Sequence, residues 1–560
     1  METQVSDSCS MAITYIAKEY DTQREQLMGR HSASEAFLKA WSQSEEHSPL
    51  YSFSRRTQDH QHFTQKTSPW RKNPIECVGL YHSRELIQHQ CDAIYTPDPN
   101  LAKGAWHRTA IGGSAYSMVG ITHTLSSDGA MDLIGELATS PTEPWDALIC
   151  TSESVKSVVE KLITRKLEYL RRNFDLKTPL KPSLPQLPVI PLGVDIDRYP
   201  SPKSKEGTGK LWRKKLDIPQ DAIVSLFVGR LSFHAKAHPF AMFESLERCA
   251  AQSEQHLTLV LCGWFANDAT KDCFVEAANL ICPSIQLVIV DGRDPDTQNN
   301  IWSVADLFIS LSDNIQETFG LTPLEAMANG LPVVVSDWDG YRESVRHGVD
   351  GFRARTVSPP IGSGEGLARL HDEGSLSYDA FLMETCQQVV VDIDEVTGHI
   401  HQLISHPELR KEMGENGRRR VIENYTWSSI ALRYRVLLSQ LKERREKDSN
   451  QAPRPIQNPL RPDPFDLHSH YATSLVGGTT LIQPGVTRIK PELTLSLKAC
   501  KPLRPLTPKL VDSILRVTQE KKSLKLSELQ TLLGKDTKDL IRHLLILGKY
   551  GYLRLDSQQA

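Results

Sequence analysis

No apolar run in the sequence approaches the roughly 18 residues needed to span a bilayer. The opening METQVSDSCS is acidic and polar where a secretory signal is basic and then apolar. Ten cysteines are scattered without a CxxC pair or a His/Cys cluster, which argues against a zinc framework or a disulfide scaffold and points to a reducing, cytoplasmic setting. Neither strand-end glycine of the middle region belongs to a GxGxxG fingerprint, so a dinucleotide oxidoreductase is disfavoured. A formal net charge of -3 argues against bulk polyanion binding, and no repeat of solenoid period is apparent.

What the chain does have is an organising stretch from Asp306 to Gly351, DLFISLSDNIQETFGLTPLEAMANGLPVVVSDWDGYRESVRHGVDG. DLFISLS reads as a short strand ending in a polar loop at Asn314 to Thr318. Thr322 and Pro323 start a helix, because proline in the first turn gives up an N–H that has no partner there. Asn329 and Gly330 close that helix, and LPVVVS resumes as a buried strand. The spacing predicts a β-loop-α-β unit with a ligand-sized opening at the strand's carboxyl end. Glu317 in the loop and Glu325 in the helix mark the opening, with Phe319-Gly320-Leu321 between them. A glycine there lets the backbone approach a ligand while the first helical N–H groups point outward as anion donors. Two hydroxyl-accepting carboxylates beside such a nest suit a sugar nucleotide; two solvated helix-end glutamates are the plainer reading.

Upstream, AIVSLFVGRLSFHAKAHPF begins as a buried strand and delivers Arg230 and Lys236 just before a helix. Two cations there clamp a diphosphate, or are ordinary surface charges. SMVGITH is a strand with His123 at its end, a place that favours a ligand role over that of a hydrogen-bonded structural histidine only if it faces a cleft. Gly29, after the strand MAITYIA, falls at a strand-to-helix turn, where glycine is also the default residue. HLTLVLCGW and SIQLVIVDG alternate with the helical DATKDCFVEAANLI and DTQNNIWSVA, the rhythm of a parallel, doubly wound α/β sheet. Lys203 to Lys215 reads as a polar connection, and Ser358 to Tyr378, rich in Gly and Ser, as an insertion.

In these residues the chain resembles the retaining GT-B glycosyltransferases of the family-4 type. The likeness is carried by Glu317 and Glu325, the continuation GLPVVVSDWDGYRESVRHGVDGF, the TH-T-L-S segment at His123, the crossing LPVIPLGVDIDRYP and the string at Arg230, and it covers roughly residues 11 to 445. It implies a GT-B architecture, with an N-terminal Rossmann-like acceptor-side domain at 1–190 and a C-terminal Rossmann-like nucleotide-sugar-binding domain at 191–445 facing it across a cleft. It also implies roles. Arg230 and Lys236 bind the donor diphosphate, the lysine standing one residue further on than is usual and Ala237 replacing a glycine. Glu317 holds sugar hydroxyls, Glu325 the ribose, Gly29 and Phe319-Gly320-Leu321 line the donor, and His123 lies beside the transferred sugar. The implied activity is hexosyltransferase-like: transfer of a sugar from a nucleotide donor to a hydroxyl acceptor, with retention. No cofactor is implied and no metal is expected, since no DxD stands in the likely site. A nucleotide-sugar epimerase, a non-catalytic sugar-nucleotide sensor and a DNA-binding protein with a vestigial enzyme fold are the competing readings.

Two regions bear on partners. Val155 to Phe174 carries an apolar face (Val158, Val159, Leu162, Ile163, Leu167, Leu170), and eight Lys/Arg lie between Lys156 and Lys181. That pattern fits a helix packed on a sheet; peripheral contact with an anionic membrane is the alternative. Residues 446–508 read as a proline-rich linker, and 509–560 as a small, mainly helical, winged-helix-like module with a core at Leu515, Leu529, Leu532, Leu545 and Tyr552. Acidic neighbours dilute the module's lysines, so it is expected to dock a protein rather than nucleic acid.

Overall fold

The computed structural model describes residues 9–21, 29–44, 48–71, 76–200, 202–448, 457–489, 491, 505–534 and 537–557. The chain divides into two compact units, Met1–Ile456 and Gln457–Ala560.

The first unit is built on two six-stranded sheets. The first comprises β1 Met11–Thr14, β2 Leu50–Phe53, β3 Cys77–Leu80, β4 Ala93–Thr96, β5 Ser117–Ile121 and β6 Ala147–Ile149. The second comprises β7 Ile223–Val228, β8 Leu257–Gly263, β9 Gln286–Asp291, β10 Leu307–Ser310, β11 Val333–Ser336 and β12 Gly351–Ala354. Every pairing is parallel, in the orders β3-β2-β1-β4-β5-β6 and β9-β8-β7-β10-β11-β12. Both sheets therefore follow one doubly wound plan, and the strand order reverses at β1/β4 and at β7/β10, where open sheets part to admit ligands. Helices cover both faces, so β8, β10 and β11 are buried throughout and mostly apolar instead of alternating.

The first sheet is braced by a fully buried ion pair. Arg108, on the helix Ala102–Thr109, forks onto the Asp146 carboxylate at 2.5 and 2.8 Å. Asp146 also accepts from the backbone N–H of Met118 and Glu143, both at 2.8 Å, so the buried charge is saturated with donors. The helix Glu153–Asn173 is capped by the Ser152 hydroxyl, which accepts from the Val155 N–H. It presses Val155, Val159 and Ile163 into the first sheet. Of the two readings of its apolar stripe, packing on the sheet is the one these contacts support.

Some elements differ from expectation. Lys203 to Lys215 is not a connection but most of the helix Pro202–Lys215, whose Trp212 is buried among core residues of the second sheet. The expected insertion forms the helices Glu365–Asp372 and Tyr378–Cys386, framed by a short antiparallel pair, β13 Thr356–Val357 with β14 Val390–Val391. The last helix, Trp427–Asp448, starts after the second sheet yet packs Trp427, Ile430, Tyr434 and Leu441 into the core of the first.

The second unit joins the helices Pro508–Lys521, Leu526–Leu533 and Thr537–Lys549 to a three-stranded antiparallel sheet. Its middle strand, β15 Leu481–Pro484, lies within the expected linker and pairs with both β16 Leu524–Lys525 and β17 Leu553–Asp556. The unit thus begins ahead of residue 509, because Ile482 supplies a fully buried side chain to its core. Leu529 and Tyr552 are in that core as expected, and Leu515 packs on its edge. Leu532 and Leu545 are instead 56% and 44% exposed. Helical periodicity accounts for this: Leu526 and Leu529 face inward with Leu533, and Leu540, Leu544 and Leu547 form the inner stripe of the next helix.

Candidate functional site

The site grows from the loop that follows β10. Asn314, fully buried, holds the loop's shape. Its side-chain oxygen accepts from the N–H groups of Gln316 and Glu317 at 3.0 and 3.2 Å, and its amide donates to the Lys236 carbonyl at 2.6 Å. Its own carbonyl accepts from the Trp338 indole at 2.9 Å. One residue, through its side chain and its carbonyl, thereby registers the loop after β7, the loop after β10 and the turn after β11. Behind it, Asp313 takes the His238 N–H on both carboxylate oxygens, and burial pushes its pKa up to about 7.

Lys236 meets Glu317 at 3.0 Å, the lysine side chain 38% exposed and the glutamate 11%. Burial acts to raise the pKa of Glu317. The charge and hydrogen bond of Lys236, with the N–H groups of Thr318 and Phe319, outweigh it and hold the group below its ordinary value. Arg230 donates to the Gln316 side chain at 3.1 Å, and burial lowers its pKa against the opposing charge of Asp379. Phe319 is buried, Gly320 caps the helix Leu321–Ala328 with φ +75°, and Leu321 opens that helix. A Cβ on Gly320 would stand 1.9 Å from the Tyr341 ring, so glycine is required there both for conformation and for room.

Glu325 parts company with Glu317. Its carboxylate hydrogen-bonds Tyr199 of the crossing between lobes, and burial pushes its pKa up against that bond and the nearby Arg198 and Lys236 charges. The two glutamates that the sequence places together are thus held in opposite electrostatic conditions.

The facing wall comes from the first lobe. The Thr318 hydroxyl donates to the carbonyl of His123, which lies two residues beyond β5 with its side chain half-buried. The Ser152 hydroxyl reaches the Thr318 carbonyl at 3.2 Å and the Asp339 carboxylate at 3.4 Å. Between the walls lies a cavity of about 520 Å³, bounded by Leu125, Ser126 and Val158 on one side and Glu317, Trp338 and Asp339 on the other. Asp339 has φ +44°, and its pKa is pushed well above the carboxylate range by burial and then by the charge of Glu317.

The structure therefore brings Arg230, Lys236, Glu317, Phe319, Gly320 and Leu321 into one cluster and ties His123 to it through the backbone. Glu325 lies on the same helix but turns to Tyr199. Gly29 opens the helix Gly29–Ser44 of the first lobe. Sequence reasoning missed Asn314, Asp339 and Tyr378, the last of which sets its hydroxyl 2.6 Å from that of Ser126. A polar Asp313-Asn314 pair directly after an apolar strand was a usable signal for the first; the other two show themselves only through contacts distant in sequence.

Two Rossmann-type lobes whose loops meet at a shared cleft define the GT-B fold. Residues 209–359, the span that holds Arg230, Lys236 and both glutamates, match the family described as Glycosyl transferases group 1. The putative glycosyltransferase YtcC of Bacillus subtilis is 26% identical over 219 residues, 38% of this chain and 52% of its own. The D-inositol 3-phosphate glycosyltransferase of Corynebacterium glutamicum is 28% identical over 194 residues, 34% and 44% of the two chains. The chain spans about half the length of the curated relatives it matches. Among solved structures, Anabaena HepE in complex with UDP shares the fold with a TM-score of 0.50, over 77% of this chain and 100% of its own, at 15% identity.

Proposed function

We propose that this chain is a glycosyltransferase that moves a sugar from a nucleotide-sugar donor to a hydroxyl acceptor with retention of configuration. The observation that carries the reading is the Lys236–Glu317 pair beside Arg230, opposite the loop of His123. Departure of a nucleoside diphosphate concentrates negative charge on its phosphates. Arg230, Lys236 and the N–H groups that open the helix at Leu321 meet that charge where it develops. Glu317, kept ionised by Lys236, accepts hydrogen bonds from sugar hydroxyls and fixes the ring, while Glu325 with Tyr199 faces the ribose. His123 borders the anomeric side. In a same-face displacement a phosphate oxygen takes the acceptor proton, so no protein nucleophile is needed. The two cations do the electrostatic work a divalent ion would otherwise do, and turnover is expected to survive chelation.

HepE, which shares the fold, was crystallised with UDP, which makes UDP the first nucleotide to try. Thermal stabilisation screened across UDP-, GDP- and ADP-sugars identifies the donor, and product analysis with and without acceptor separates transfer from epimerisation. Stabilisation by none of them contradicts the proposal. The Gln457–Ala560 unit is proposed as a protein-docking module.

A further inference from the structure

The two helices between β13 and β14, Glu365–Asp372 and Tyr378–Cys386, also reach the site. The second of them opens at Tyr378, whose hydroxyl lies 2.6 Å from the Ser126 hydroxyl on the first lobe and 3.4 Å from the Gln316 side-chain nitrogen on the second. Gln316 presents its oxygen to Arg230, so its nitrogen is the donor to Tyr378, whose hydroxyl shares a second hydrogen bond with that of Ser126. Arg230, Gln316, Tyr378 and Ser126 form one polar relay from the diphosphate-side cation to the facing lobe. The His371 ring also lies 3.2 Å from the Asp128 carboxylate of the first lobe.

The next residue, Asp379, stands over the basic loop. Its carboxylate is 3.6 Å from the His234 ring, and its charge is the foremost one attracting Arg230. An anion is thus already in place near Arg230, one of the two cations to which the glycosyltransferase reading assigns the leaving diphosphate. Its side chain is 75% exposed, so it is held weakly and can be displaced.

We propose that the insertion belongs to the donor site: Asp379 is a displaceable counter-ion that an incoming diphosphate replaces on the Arg230–Lys236 loop, and Tyr378 ties that loop to the first lobe. Asp379 acts through Arg230 and His234 and is a positioning residue. Until a ligand arrives it partly neutralises the basic loop. The inference rests on the donor-site reading above and adds to it a residue outside the family-matched span.

The test uses the full chain and two probes, UDP and inorganic pyrophosphate, measured by calorimetry at low and at moderate salt. Replacing Asp379→Asn removes the competing charge and is expected to tighten pyrophosphate by about two- to five-fold, the range for one exposed charge pair. The gain shrinks as salt rises. Asp379→Glu restores the anion and should return to wild-type affinity. Asp372→Asn removes an equal charge from the end of the insertion's first helix and should leave binding unchanged. A merely structural role for Asp379 would weaken binding or leave it alone, so equal or weaker affinity in Asp379→Asn overturns the proposal, as does equal tightening in Asp372→Asn. If wild-type protein binds UDP normally while Asp379→Asn does not differ, only this inference falls. If wild type binds neither probe nor GDP nor ADP, the donor site falls with it.

Discussion

The two lobes share one strand order and use it differently. The second gathers charged and polar groups into direct contact at the carboxyl end of its sheet: Lys236 paired with Glu317, Arg230 hydrogen-bonded to Gln316, with Asn314 fastening the loops. The first hides its strongest ion pair, Arg108–Asp146, inside the lobe and offers the cleft a backbone carbonyl and two serine hydroxyls. Topology alone does not assign function. One lobe spends its buried charge on holding its sheet together, and the other leaves charge half-exposed where a ligand can exchange with it.

That contrast can be broken from either side. Arg108→Ala strands the Asp146 carboxylate in the core, and the expected loss is about 3–5 kcal/mol of stability, read as the shift in urea midpoint. A variant as stable as wild type would show that the first lobe is not braced in this way. Glu317→Ala is expected to do the reverse, lowering kcat/KM by about 100-fold while the melting temperature moves little, as the proposed contact with the sugar requires. Unfolding of this variant would make Glu317 a structural partner of Lys236 instead.

A smaller effect separates the cleft's framework from its chemistry. Asp313 has a folded pKa of about 7 against an ordinary 3.8, so it is protonated in both states at low pH and costs the folded state its burial once ionised. Wild-type stability should therefore decline as pH rises from about 4 to about 7 and then level off. Asp313→Asn should lose that slope and become the more stable protein above pH 7, by an amount on the order of 2 kcal/mol. Parallel pH profiles for the two proteins would remove Asp313 from the account. The smallest change concerns Asp339: with φ +44° it tolerates a conformation that glycine adopts without strain, and Asp339→Gly should stabilise by about 1 kcal/mol in thermal unfolding.

Legibility in the sequence follows the same division. The β10-loop-helix-β11 unit was readable because an apolar strand, a loop glycine, a first-turn proline and a closing Asn-Gly stand in order, and each has a local cause. Strands β2 and β3 were not read: LYSF and CVGL are four residues long, and Gly79 interrupts the second. The helix Pro202–Lys215 has the look of a connection because Lys and Gly dominate it and Trp212 is its main buried anchor. The strand Leu481–Pro484 was hidden in a proline-rich stretch, since only pairing on both sides reveals it. The relay through Tyr378 was out of reach for another reason: Ser126 lies 252 residues away along the chain, and nothing local announces a contact of that range.

The central claim is that the loops after β7 and β10 grip a nucleoside diphosphate. Calorimetric titration of UDP, GDP and ADP into wild type and into an Arg230→Ala/Lys236→Ala double variant tests it most directly. One of the three should bind wild type and lose at least about 100-fold in affinity in the double variant, which removes two charge-assisted contacts. Equal binding to both proteins, or binding to neither, would contradict the account.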